Sequence, residues 1–210
     1  MTATKEEAAE PREGLRERKR RQTRARIAEA GMRLFLERGF EETTLDAIAE
    51  QADIARRTFF HYFDTKEAIL NTLQDTTESS LRAVIVEADP KSAPFDVVCE
   101  AMLGMISRFG TEEARAIDRL LRSTETLRAR KQANYQTQEQ MIFEALRQKW
   151  PEPDLALKLR LVSLACVGAL RLASDAWSAS DGTRPLQDHL VDVFSALRAD
   201  ITRGSPMALD

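Results

Sequence analysis

The densest recognition chemistry in the chain lies in a short stretch containing Arg56, Arg57, Thr58, Phe60, His61 and Tyr62. At helical spacing Arg56 pairs with Phe60 and Arg57 with His61, so these four share one side, with Thr58 and Tyr62 at its edges. Phe59 and Phe63, also four apart, point the other way, into a core. Aromatic rings beside arginines are costly on a water-facing surface unless something covers them. Duplex DNA suits this ridge. Arginine can fork onto guanine O6 and N7, an apolar face can meet a thymine methyl, and hydroxyls can bond phosphate. It is not the chemistry of catalysis. His61 belongs to the ridge and His189 lies near the end of the sequence. There is no Cys/His cluster, Gly-rich phosphate loop or G-x-S-x-G. The acid pairs Glu41-Glu42 and Glu112-Glu113 adjoin helix starts, where the helix dipole favours them. No enzymatic activity, cofactor or metal is expected.

A helix of about 56–63 is too short to stand alone and must be held by packing. The preceding helix, about Leu45 to Ala52, supplies the support. Leu45, Ile48, Ala49 and Ala52 share its buried face, and Thr43 with Asp46 has capping-box spacing. Asp53 breaks the pattern and Ile54 anchors the turn, the signature of a helix-turn-helix. Further DNA contacts are expected from Thr43 and Thr44 at the mouth of the first helix and from Lys66 just past the second. Arg20, Arg21 and Arg24 belong to a run from Arg16 to Arg26 with seven basic side chains and one acid. That run is either a solvated helix start or an electrostatic arm for phosphates, and its place beside a helix-turn-helix favours the arm. Neutralising the arm or Lys66 should lower the salt dependence of DNA binding.

The segment resembles the DNA-binding domain of the TetR family of repressors. The residues that carry the resemblance are Thr44-Leu45-Asp46-Ala47-Ile48-Ala49, Ala52-Asp53-Ile54-Ala55, Thr58-Phe59-Phe60-His61-Tyr62-Phe63 and Lys66-Glu67. The likeness covers about residues 20 to 70. Asp53 replaces the family's usual Gly, and Asp tolerates the left-handed conformation better than most residues. Ala55 replaces the Ser that usually caps the recognition helix, a loss of about 0.5–2 kcal/mol in helix stability.

Composition fits this reading. The chain has 210 residues, 43% hydrophobic and 31% charged, with 8 Gly and 7 Pro between long stretches rich in Ala, Leu, Glu and Arg. We expect an all-α protein of about nine helices: a polar tail over 1–14, a three-helix helix-turn-helix domain over 15–65, and a ligand-binding and dimerisation bundle over 66–210. The net charge is −3, yet residues 15–66 carry 12 Lys/Arg against 9 Asp/Glu, gathering positive charge where DNA contact is expected. Cys99 and Cys166 lie in apolar helical stretches and read as small core residues in a reducing cytoplasm. No signal peptide or membrane span is expected; the most apolar region, Leu155 to Leu172, contains Lys158, Arg160 and Arg171.

In the larger half, a helix from Lys66 to about Glu87 places Ile69, Leu70, Leu73, Leu81 and Val84 inward. The resemblance implies that this helix links the two domains and swings when ligand binds. Met102, Met105, Ile106, Tyr135, Gln138, Met141, Ile142, Cys166, Leu170 and Trp177 are the expected pocket lining, although a methionine stripe is more often what a plain core shows. Arg119-Leu120-Leu121-Arg122 through Arg130, and Gly168-Ala169-Leu170-Arg171, are similar to a TetR branch that binds acyl-CoA-like ligands. The resemblance therefore implies a fatty acyl thioester or related amphipathic effector, with Arg119 and Arg122 near its phosphates. The last two helices, about 154–178 and 185–203 with a turn at Asp181-Gly182, are expected to form a homodimer interface through Leu159, Val162, Ala169, Leu186, Leu190, Val193, Phe194 and Leu197. A dimer would read two half-sites of a palindromic operator. The sequence reading is thus a homodimeric repressor released by a small effector. The alternative is a DNA-binding adaptor whose C-terminal half only dimerises or docks a protein.

Overall fold

A computed structural model describes residues 14–108, 110–180 and 184–202. All of the expected tail over 1–14 except Gly14, and the turn at Asp181-Gly182, lie outside them. The described residues are all-helical, as the composition predicts. The chain divides into two compact units, Met1–Thr72 and Leu73–Asp210.

In the first unit α1 (Leu15–Arg38) is followed by α2 (Leu45–Gln51) and α3 (Arg56–Phe59). The buried face of α1 begins only at Ile27 and continues through Ala30, Gly31, Leu34 and Phe35, leaving its basic first turns exposed. Gly39 ends α1 at φ 89, a conformation that suits glycine, and its N–H donates to Phe35 O. The cap of α2 corrects the sequence reading. Thr44, not Thr43, accepts from Ala47 N–H. Thr43 is buried, and its hydroxyl reaches Gly39 O at 2.7 Å and Leu34 O at 3.2 Å, closing the end of α1. In the turn Asp53 sits at φ 51, the left-handed position that its side chain tolerates.

The third helix is shorter than expected. It makes one turn, after which His61 N–H bonds Thr58 O and Tyr62 N–H bonds Phe59 O. These tighter i→i−3 bonds suit a helix whose first residues lack a side-chain cap at Ala55. Phe59 and Phe63 are both buried, their ring centroids 5.7 Å apart.

α4 (Glu67–Glu87) opens within this unit. A Cβ on Gly31 would lie 2.5 Å from Ile69 Cδ1, so α1 meets α4 at a point of close approach that a larger residue would displace. In the second unit α4 turns Leu81 and Ile85 inward, whereas Val84 is exposed, contrary to expectation. There follow α5 (Pro94–Ile106), α6 (Thr111–Arg122), α7 (Glu125–Lys149), a 3-10 turn at Pro153–Leu155, α8 (Ala156–Ala179) and α9 (Leu186–Thr202). Pro94 opens α5 where its missing N–H is harmless, and Thr124 caps α7 through Leu127 N–H. The core gathers Leu81, Ile85, Val98, Met102, Ile142, Leu146, Leu159, Cys166 and Leu190 around α8, which packs on α5, α7 and α9. Trp150 at the end of α7 donates to Pro90 O at 3.0 Å.

Candidate functional site

On the first unit Arg56, Arg57, Phe60 and His61 are exposed, Thr58 and Tyr62 half-buried. Phe60 keeps 48% of its surface in water, a large apolar exposure for a fold that buries its neighbours Phe59 and Phe63. The guanidinium of Arg56 is not idle. Its Nη1 bonds both carboxylate oxygens of Asp46 on α2, at 3.0 and 3.2 Å. This exposed pair contributes little stability, but it fixes the direction of one arginine on the ridge. Arg57 has no ion pair among the described residues.

Three of the expected DNA contacts are placed differently. Thr43 faces inward, as described. Lys66 spends its ammonium on backbone carbonyls: Phe40 O at 2.7 Å, Thr43 O at 3.2 Å and Glu41 O at 3.3 Å, while lying over the Phe40 ring. A lysine has three donors, and here they fasten the α1–α2 connection instead of facing a phosphate. Arg24 is half-buried, donates to Tyr62 O at 3.0 Å and lies 4.5 Å from the Phe63 ring centroid. It steadies the end of α3. Arg20 and Arg21 are exposed on the first turns of α1, and Thr44 is exposed beside α2.

The second unit divides the expected ligand residues. Met102, Ile142, Cys166 and Leu170 are buried members of the continuous core, with Tyr135, Met141 and Ile106 packed against it. Met105 is half-buried and Arg119 exposed. Arg122 belongs to a polar cluster that sequence reasoning missed. Its Nε bonds Asp118 and its Nη2 bonds Asp175 at 2.9 Å, tying α6 to α8. Lys131 on α7 donates to Asp118 at 2.6 Å and to Ser174 Oγ at 3.0 Å. Burial alone would raise the Asp118 pKa, but the bonds and charge of Lys131 and Arg122 outweigh it and hold the carboxyl below its ordinary range. Burial in turn pushes the Tyr135 hydroxyl up, against a hydrogen bond to Ser174. The i, i+4 spacing of Asp118 and Arg122 is the sequence signal for part of this cluster; the reach of Lys131 across helices has none.

Buried side-chain atoms without a hydrogen-bond partner among the described residues include Arg115 Nε, Asn134 Oδ1, Trp177 Nε1 and His189 Nε2. Gln138 is buried on α7. A groove of about 190 Å³ lies between α5 and α9, bordered by Asp96, Cys99, Glu100, Phe194 and Arg198. It contains none of the expected effector residues. Cys99 and Cys166 are free thiols. The neighbouring Cys99, together with burial, pushes the Cys166 thiol up.

The expected dimer residues are also repositioned. Leu159, Val162, Ala169, Leu190 and Phe194 are buried within the subunit, and Leu186, Val193 and Leu197 pack on the same core. The leucines left exposed on α8 are Leu157, Leu161, Leu164 and Leu172, with Val191 exposed on α9. With Gly168, the α8 leucines recur at three- and four-residue intervals, one continuous stripe.

A small helix-turn-helix unit with an exposed arginine–aromatic ridge, joined in sequence to a larger helical unit, defines a DNA-binding regulator. Residues 27–73 match the model for bacterial regulatory proteins of the tetR family, and residues 92–202 match the MftR C-terminal domain. The chain belongs to the TetR family of transcriptional regulators. It is 31% identical over 105 residues to the HTH-type transcriptional regulator TcmR of Streptomyces glaucescens, covering 50% of this chain and 46% of that protein. It is 41% identical over 59 residues to the putative mycofactocin biosynthesis transcriptional regulator MftR of Mycobacterium tuberculosis, 28% of this chain and 30% of that one. The matched segments thus span less than half the length of these curated relatives. Among solved structures, FadR of Thermus thermophilus, a TetR-family repressor in complex with lauroyl-CoA, aligns at a TM-score of 0.55 and 24% identity, over 89% of this chain and 100% of that one. A TetR-family regulator of Syntrophomonas wolfei aligns at a TM-score of 0.64 and 15% identity, over 90% and 99%. At these identities the structural likeness concerns the fold. Members of the family are regulators rather than enzymes. No helix among the described residues is long and apolar enough to cross a membrane.

Proposed function

We propose that this regulator is a homodimeric repressor that grips a palindromic operator and is released by a small amphipathic effector of the acyl-CoA or fatty-acid type. The observation that carries the reading is the ridge of Arg57, Phe60 and His61, left in water while Phe59 and Phe63 are buried beneath it. Arg20, Arg21, Thr44, Arg56, Thr58 and Tyr62 are the further contacts to bases or phosphates in this reading. The exposed leucine stripe of α8 supports pairing with a second copy. The effector class rests on the lauroyl-CoA ligand of the Thermus fold relative and on the half-buried Met105, Ile106, Tyr135 and Met141. The test is operator binding, after genomic footprinting has found the site. Arg57→Ala should weaken it by about 1–3 kcal/mol, roughly 5- to 150-fold. Tyr62→Ala should weaken it too, with helicity and oligomeric state unchanged. Parent-like binding by both variants would remove the ridge from the interface. A second reading, a DNA-binding adaptor whose C-terminal unit only dimerises or docks a protein, is favoured by one observation: Met102, Ile142, Cys166 and Leu170 sit in a packed core. Screening acyl-CoAs, fatty acids and small apolar compounds for release from DNA separates the two.

A further inference from the structure

Arg115 on α6 and Trp177 on α8 present a chemical imbalance that the neighbouring cluster does not. In that cluster Asp118 and Asp175 match Arg122 and Lys131, charge for charge. Arg115 has no carboxylate partner among the described residues. Its guanidinium lies over the Trp177 ring, 4.9 Å from the centroid, and Nη2 donates to Ser180 Oγ at 3.4 Å. Its Nε–H is closed off from water and unmet. So is the Nε1–H of Trp177, a residue only 2% exposed. Leaving one buried donor unsatisfied costs about 1–3 kcal/mol, and two on one stacked pair of residues, one of them cationic, is a costly arrangement to maintain without an acceptor. The other tryptophan shows the ordinary solution, since Trp150 Nε1–H has Pro90 O.

We infer that Arg115 and Trp177 form the anion-binding end of an effector site, where an oxyanion of the ligand, carboxylate or phosphate, accepts from Arg115 Nε–H and Trp177 Nε1–H. This rests on the reading that the second unit binds an effector, and it names the chemistry that such an effector must carry. Two N–H donors and one delocalised positive charge suit an oxyanion better than a neutral carbonyl. An indole donor also cannot accept, so a ligand that offers only an N–H gains nothing there. The cation role expected at Arg119 and Arg122 thereby passes to Arg115, because Arg119 is exposed and Arg122 is already neutralised.

The test is calorimetric titration of the full chain with laurate, coenzyme A, lauroyl-CoA, and dodecanol as a neutral isostere of laurate. Laurate binding well above dodecanol assigns the oxyanion to a carboxylate; binding of coenzyme A alone assigns it to a phosphate. Arg115→Gln and Trp177→Phe should each weaken the anionic ligand by about tenfold, as expected for loss of one charge-assisted bond. Both should leave dodecanol unchanged. Trp177→Phe keeps the ring under Arg115, so it reports on the N–H even if Arg115→Gln disturbs folding. Binding of laurate, coenzyme A and lauroyl-CoA no better than dodecanol, parent-like anion binding by both variants, or no saturable binding by any of the anions overturns the assignment. The DNA experiments stand apart. Loss of operator binding in the parent chain would end the regulator reading while calorimetry still judged the anion site. Unchanged release by effector in Arg115→Gln would end the site while sparing the regulator.

Discussion

Lys66 carries one charge and three donors, and all three point at carbonyls of the α1–α2 connection. Lys66→Met keeps an unbranched side chain but loses the ammonium over Phe40 and leaves those carbonyls unmet. It should lower the stability of the first unit by about 1–3 kcal/mol. It should also leave the salt slope of operator binding unchanged, whereas neutralising Arg20 and Arg21 should reduce it by about one for each phosphate that is no longer paired. A slope that falls in Lys66→Met would return this lysine to the DNA. Lys131 makes a comparable case in the second unit. Lys131→Met removes the nearest counter-charge of Asp118 and should cost about 3 kcal/mol near neutral pH, read from thermal or urea unfolding. Because the folded pKa of Asp118 is depressed, the contribution of the pair is fully present above the unfolded value of 3.8 and is lost as pH falls through the lower folded value. The difference between parent and variant should therefore shrink in strong acid; a constant difference would show that the carboxylate is not what Lys131 stabilises.

At the scale of the element, α3 shows what spacing can and cannot reveal. The four-residue interval of Phe59 and Phe63 separates the buried side from the arginine side, and the structure buries both phenylalanines. The length of the helix was not legible, because the missing cap at Ala55 and the tight bonds after Phe59 depend on local geometry rather than on a pattern. Ala55→Ser should restore a cap, raise stability by about 0.5–1 kcal/mol and tighten operator binding. Unchanged unfolding would mean that packing alone holds α3. Periodicity groups Leu159, Val162 and Ala169 on one face of α8, but it does not tell whether that face turns into the core or toward a second copy. Leu157, Leu161, Leu164 and Leu172 lie on one side and Leu159, Val162, Cys166 and Ala169 on the other. When both sides are apolar, three- and four-residue spacing fits either, and only packing against α5, α7 and α9 decides. The polar cluster was hidden for a related reason: Asp118, Lys131 and Ser174 are far apart in sequence, and each alone resembles an ordinary surface residue.

At the scale of the molecule, the proposed pairing of two copies through the exposed leucine stripe of α8 can be tested directly. Leu161→Glu with Leu172→Glu replaces exposed side chains, so helicity and thermal stability of the subunit should change little. The mass by light scattering should fall from dimer to monomer, and operator affinity should drop by at least tenfold as the two half-sites lose their linkage. A variant that remains dimeric would place the interface elsewhere. The basic first turns of α1 carry a different consequence. Arg16 and Arg20, and Arg20 and Arg24, are like-charge neighbours one turn apart, each opposing the helix by a few tenths of a kcal/mol. Added electrolyte shields that mutual repulsion as surely as it shields the attraction to a duplex. Ionic strength thus acts twice on one segment, in opposite senses: it should wind the arm more tightly in the unbound regulator, visible as a gain in far-ultraviolet ellipticity, while loosening the hold of its exposed arginines on phosphate.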